Sequence, residues 1–143
     1  MNYKAIPEEV LKEILLLTEA KKKIELREKA QEKFMPFAHH VYDGFIEGKH
    51  HRIIAEKLEK VARGEIKRLI VNMPPRHSKS EFASFMMPAW FLGRNPKLKI
   101  IQATHNTELA VRFGRKVRDL IADPQYQEIF PNTSLKEDSK SAG

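Results

Sequence analysis

The residues of this sequence best placed to do chemistry are Lys79 and Ser80, which close the run Met-Pro-Pro-Arg-His-Ser-Lys-Ser from Met73 to Ser80. A lysine followed by a hydroxyl suits the end of a nucleotide. The ammonium neutralises terminal phosphate oxygens, and the hydroxyl ligates the magnesium ion that travels with them. Such a site also needs a turn whose backbone N–H groups converge on anionic oxygen, with a strand before it and a helix N-terminus after it. Pro74 to Ser78 is the candidate turn. The usual pattern, G-x-x-x-x-G-K-[ST], would put its glycines at Met73 and Ser78, and neither position is glycine. By pattern alone the match fails, which leaves open a plainer reading: a connecting loop that happens to be basic.

Other candidate chemistry is thinner. His39-His40 and His50-His51 invite a metal, but adjacent side chains diverge on most backbones and no nearby acidic cluster completes a shell. The chain has no cysteine, which excludes a disulfide framework, a thiolate zinc site and a cysteine nucleophile. The formal charge is +7, and the excess sits mid-chain. Gly44 to Ser80 holds nine Lys and Arg against four acids, and Glu81 to Ala122 seven against three. From Asp123 onward the balance is two against four. A polyanionic partner fits this distribution, and so does an ordinary soluble surface. Arg112, Arg115, Lys116 and Arg118 read first as the solvated face of a helix and second as contacts to DNA phosphates, which would carry no base specificity.

The elements that must position the loop are legible as hydrophobic periodicity. Pro7 to about Phe34 reads as a helix, with Glu8 and Glu9 favourable in its first turn and a second half, AKKKIELREKAQEK, whose few apolar positions put it in solvent or against a partner rather than in a core. Arg52 to Arg63 carries Ile53, Ile54, Leu58 and Val61 at helical spacing and closes near Gly64. Ile66 to Met73 is β-branched and apolar and reads as a strand; Pro74 and Pro75 force the chain out of it. A helix follows, with Phe82, Phe85, Met86, Met87, Trp90 and Phe91 as core candidates, Pro88 placed to kink it and Gly93 to end it. Lys97 to Thr104 reads as a second strand, and Asn106 caps a helix stopped by Asp123-Pro124. Strand, loop, helix, strand, helix predicts an α/β fold: a parallel sheet flanked by helices, with ligands beyond the carboxyl ends of the strands.

The run RLIVNMPPRHSKSE, with HHRIIAEKLEKVARGEIK before it and PAWFLGRNPKLKIIQATHNTELAVRFGRKVRDLI after it, resembles the N-terminal ATPase domain of bacteriophage and prophage terminase large subunits. That family often builds its phosphate loop as Pro-Pro-Arg-His-(Gly/Ser)-Lys-Ser, a pattern that admits Ser78. The resemblance covers roughly His50 to Gly143. It implies a helical N-terminal extension over 1–48 and a partial P-loop ATPase domain over 49–143 that binds ATP and Mg²⁺. Pro75, Arg76, His77, Ser78, Lys79 and Ser80 would line the nucleotide site. Lys79 would neutralise the β- and γ-phosphates, Ser80 would ligate Mg²⁺, and Arg76 would stabilise the γ-phosphate as the catalytic arginine. His77 is a polar lid or only a loop residue. The segment around His51 and Arg52 lies where the family contacts the adenine base, and reads equally well as a basic helix start.

The implied partners are double-stranded DNA, a portal protein and a small terminase subunit, with copies of the full-length chain in a ring and no membrane. The implied location is the cytoplasm of an infected or prophage-carrying bacterium. No hydrophobic strand ending in Asp-Asp or Asp-Glu follows Ser80, so the acidic magnesium-binding strand and the nuclease domain are expected beyond Gly143. A chain of this extent is expected to bind nucleotide and to hydrolyse it poorly or not at all. The alternative is a small basic module that binds nucleic acid or capsid and carries a vestigial loop. A metabolic P-loop kinase is disfavoured by the missing glycines.

Overall fold

The computed structural model describes residues 6–136. Its elements are α1 (Glu8–Glu32), α2 (Phe34–Val41), α3 (Lys49–Ala62), a π-helical turn (Glu81–Met86) that runs straight into α4 (Met87–Arg94), α5 (Thr107–Ala122) and α6 (Pro124–Ile129). The expected α/β parallel sheet is overturned: among the described residues the fold is all helical, with no strand. A strand exists through its ladder of hydrogen bonds. Ile66–Met73 and Lys97–Thr104 have the right residue types, yet 67–73 and 99–104 make no backbone–backbone hydrogen bond among the described residues. What survives of the strand pattern is its alternation. Leu69, Val71 and Met73 pack against the core, while Ile70 lies 85% exposed between them. Strand preference in a sequence records a half-buried, pleated surface, and one packed side satisfies it without a partner strand.

The core is aromatic and joins distant parts of the chain, on both sides of residue 48. Phe34 and Phe37 of α2 meet Phe82, Trp90, Tyr126 and Phe130, all of them 4% exposed or less. Phe34 stands edge-on to Trp90 at 5.6 Å and tilted against Phe82 at 5.3 Å, while Phe37 stands edge-on to Tyr126 at 6.1 Å. The polar tips of these side chains are satisfied inside the core. Trp90 Nε1 donates to Ala30 O at 2.9 Å, and Tyr126 OH to Ala89 O at 2.9 Å. Of α1, only its last turn belongs to the core, beginning at Ala30.

Two local devices shape this assembly. Glu59, buried on α3, accepts the Phe34 N–H at 2.9 Å, and so caps the start of α2 from another helix. Lys33 and Arg63 approach the second carboxylate oxygen at 3.5 and 3.8 Å and balance its charge. The π turn is the other device. The Met87 N–H reaches back five residues to Phe82 O, which widens the helix so that Phe82, Met86 and Trp90, four apart, all face the core. Pro88 has no N–H for Ser84 O four residues back, and that carbonyl accepts Gln102 Nε2 at 3.1 Å. The helix ends at Arg94, and Gly93 lies against Phe130. No helix among the described residues is long and apolar enough to cross a membrane.

Gly93 is held by space rather than by backbone conformation. A Cβ there would lie 2.4 to 2.7 Å from atoms of the buried Phe130 ring. Gly93→Ala is expected to lower the unfolding free energy by about 1–3 kcal/mol through overpacking, measured by urea denaturation followed by far-UV circular dichroism.

Candidate functional site

The loop from Met73 to Ser80 leaves the α3 side of the core at Met73 and enters the helical run that carries Phe82, Met86 and Trp90. Burial of those three side chains fixes the start of the helix, and with it the direction in which the loop's backbone points. The first-turn N–H groups of any helix lack intrahelical acceptors and carry the positive end of its dipole. Here that end is fed by residues 76–80. The first closing bond is Phe82 N–H to Ser78 O at 2.9 Å.

Two residues of the loop hold left-handed backbone, Arg76 at φ 64° and Ser78 at φ 58°, and neither is glycine. Each such residue costs about 1–2 kcal/mol. One buried aromatic side chain contributes about as much, roughly 1.5–3 kcal/mol, so the core beneath the helix readily sustains this strain. Ser78 occupies the position of the second glycine in the usual phosphate-loop pattern, and it adopts the backbone that glycine normally supplies there. Left-handed and right-handed residues in succession turn neighbouring N–H groups toward one point, which is how a backbone nest binds an anion.

Met73, Pro74, Pro75, Arg76, His77, Ser78, Lys79, Ser80 and Glu81 line a cavity of about 460 Å³. All the residues expected to bind nucleotide thus meet in one concavity. Arg76, Lys79 and Ser80 are exposed, and none has a hydrogen-bond or ion-pair partner among the described residues. His77 folds onto its own loop, its Nδ1 donating to Pro75 O at 2.8 Å. That contact holds the ring against the loop, on the lining of the cavity. The donor set suits a magnesium nucleotide in part: an unpaired lysine, a free hydroxyl and a helix N-terminus are present. The one carboxylate on the rim, Glu81, is engaged by Lys116 Nζ at 3.0 and 3.2 Å.

That ion pair was not legible in the sequence, where Lys116 looked like one more residue of a solvated face. Lys116 also lies 5.2 Å over the Phe85 ring, so it ties α5 to the helix that follows the loop. Both partners are about one-third exposed, which limits the pair to the weak range of surface salt bridges, about 1 kcal/mol or less. Compared with known proteins, the chain matches no family model, no curated protein and no solved structure.

The histidine pairs behave differently from each other. His39 Nε2 meets Glu47 at 2.6 Å, and His40 turns toward Glu128 at 3.4 Å. Glu47 also accepts from Arg52 Nε. The hydrogen bond from His39, then that from Arg52, holds its carboxyl below the usual range. His50 and His51, by contrast, do not diverge: their ring centroids are 3.8 Å apart, with His77 5.6 Å from His50. No group of three metal-ligating side chains forms among the described residues. His51 is buried between Phe45 and Phe82, and its Nδ1 accepts the Gly48 N–H at 2.9 Å, which caps α3. The neutral ring therefore carries its proton on Nε2, a buried atom with no partner among the described residues. Arg52 is exposed on α3.

Burial pushes the His51 imidazole below the ordinary histidine value of 6.5; His50 and then His77 add to this, against an opposing pull from Glu47. The folded protein therefore holds His51 neutral while the unfolded chain takes up a proton near 6.5. The stability from its neutral burial is complete above that pH and drains as pH falls below it. Unfolding free energy measured across about pH 7 to pH 5 should decline, and His51→Gln should flatten the decline; equal slopes in both proteins would count against this reading. Replacing Ser78 by glycine, which relieves its left-handed strain, is expected to raise stability by about 1 kcal/mol in urea denaturation.

Proposed function

We propose that Met73–Ser80 is the phosphate-binding loop of an ATP-driven DNA-packaging motor subunit of the terminase large-subunit type. One observation carries the reading: a loop with left-handed backbone at Arg76 and Ser78 runs into a helix whose first residues are the unpaired Lys79 and Ser80. This supports nucleotide binding independently of any sheet. Lys79 would hold the terminal phosphates as a point charge, and Ser80 would offer its hydroxyl to Mg²⁺. The N–H groups of the loop and first helical turn would take the remaining phosphate oxygens. The bound metal supplies charge neutralisation across the phosphates. Arg76, exposed on the rim, is in a position to oppose γ-phosphate charge. On the terminase reading the work done is translocation of double-stranded DNA into a capsid, by a ring of full-length subunits docked on a portal protein with a small terminase subunit.

The exposed Arg112 and Arg115 on α5 favour a second reading, a basic module that binds nucleic acid through its phosphates and whose loop is vestigial. Equilibrium binding of a fluorescent ATP analogue separates the two. The motor reading expects saturable, Mg²⁺-enhanced binding that Lys79→Ala weakens at least about tenfold, or 1.4 kcal/mol. Absence of binding, or equal affinity in the Lys79→Ala protein, overturns it. Salt-sensitive DNA binding that ignores Lys79→Ala and falls with Arg112→Ala and Arg115→Ala would favour the module.

A further inference from the structure

α1 leaves its apolar side chains uncovered. Residues 6–29 are all exposed, and Val10, Leu11, Ile14, Leu15, Leu16 and Leu17 are each 41–66% so. Single exposed leucines are ordinary, but Val10, Ile14, Leu17 and Ile24 recur at helical spacing along one side of α1, and an uncovered stripe of this kind marks an interaction surface. The band sits within a helix of uneven charge. Residues 8–19 hold Glu8, Glu9, Glu13 and Glu19 against Lys12. Residues 20–29 hold Lys21, Lys22, Lys23, Arg27 and Lys29 against Glu25 and Glu28.

Such a helix complements itself in one direction only. Laid parallel to a copy, it stacks acid on acid and base on base. Laid antiparallel, each acidic half faces a basic half, and the leucines meet near the middle. A two-fold interface requires this kind of self-complementary patch. The basic half also borders a groove of about 260 Å³ walled by Ile24, Leu26 and Ile129, where Lys23 and Arg27 stand with Glu128, which gives the partner's apolar N-terminal half a seat. We infer that α1 is a dimerisation helix that pairs antiparallel with α1 of a second copy of this chain, with the two-fold axis near Leu17. Leu17 then faces its own counterpart, and Val10 comes opposite Ile24. Glu9 and Glu13 lie beside the basic cluster of the other copy.

Sedimentation equilibrium of the 143-residue chain should show a monomer–dimer equilibrium that weakens with added salt, because the charged halves are exposed to screening. Ile14→Glu with Leu17→Glu should weaken it at least about tenfold. Ile14 and Leu17 are 49% and 64% exposed in the single chain, so circular dichroism, and urea unfolding at concentrations where the chain is monomeric, should be unchanged. The chain has no native cysteine, so a spin label can be placed at a single introduced one. In an antiparallel pair, labels at Leu17→Cys should lie close together, while labels at Val10→Cys should be separated by about 21 Å along the axis from helical rise alone. A strictly monomeric chain overturns the inference. So does a dimer indifferent to the glutamate substitutions, or one in which both label pairs are equally close, as a parallel pairing requires.

Discussion

The indole of Trp90 is the constraint on which this structure turns. Its ring must be buried, and its N–H must then find an acceptor inside, which it does at Ala30 O. That single bond joins the end of the long N-terminal helix to the helix after the loop, sixty residues on. The aromatic rings of α2 and α6 close around it. Because Phe82 and Met86 share its face through the π turn, the same burial sets the angle at which Lys79 and Ser80 emerge. The candidate site is rigid to the extent that Trp90 is anchored.

Polar contacts tune this frame. Glu59 holds the first N–H of α2 from α3, so the start of one helix depends on a carboxylate twenty-five residues away. His51 plays a similar part at Gly48, and brings an imidazole among Phe45 and Phe82 directly beneath the loop. Glu81 and Lys116 couple the loop helix to α5. The loop's own cations stand free, and the charge on the cavity rim is set mainly by Arg76 and Lys79.

Helices governed by local signals were readable from the sequence. Asn106 was expected to cap a helix, and its side chain accepts the Leu109 N–H at 2.8 Å. Asp123-Pro124 was expected to stop that helix; it does, and Asp123 also caps α6 by accepting the Gln125 N–H. The apolar spacing of α3 was legible for the same reason; the polar run over residues 20–33 was legible only as far as Lys29, because Ala30 within it is fully buried. What depends on distant partners was not. β-branched runs at Ile66–Met73 and Lys97–Thr104 look like strands whether or not a ladder forms. The segment that becomes α2 reads in sequence as a loop or a short helix, and no periodicity announces that the carboxylate capping it, Glu59, comes from another helix. At the site, Lys79 and Ser80 could be placed by residue type, whereas the left-handed backbone of Arg76 and Ser78 could not, because side chains normally avoid it.

Those two unladdered runs carry a liability wherever copies of the chain meet at high concentration. An extended backbone with free N–H and C=O groups, flanked by Ile70 and by Ile101 at 95% exposure, is a template for any passing strand. Each run begins with positive charge, Lys67 and Arg68 in one and Lys97 and Lys99 in the other. Like charges repel a second copy brought into register, so these residues act as gatekeepers against aggregation. The mid-chain basic excess thus has a use unconnected with any polyanion: it keeps two adhesive stretches of chain from finding each other between molecules.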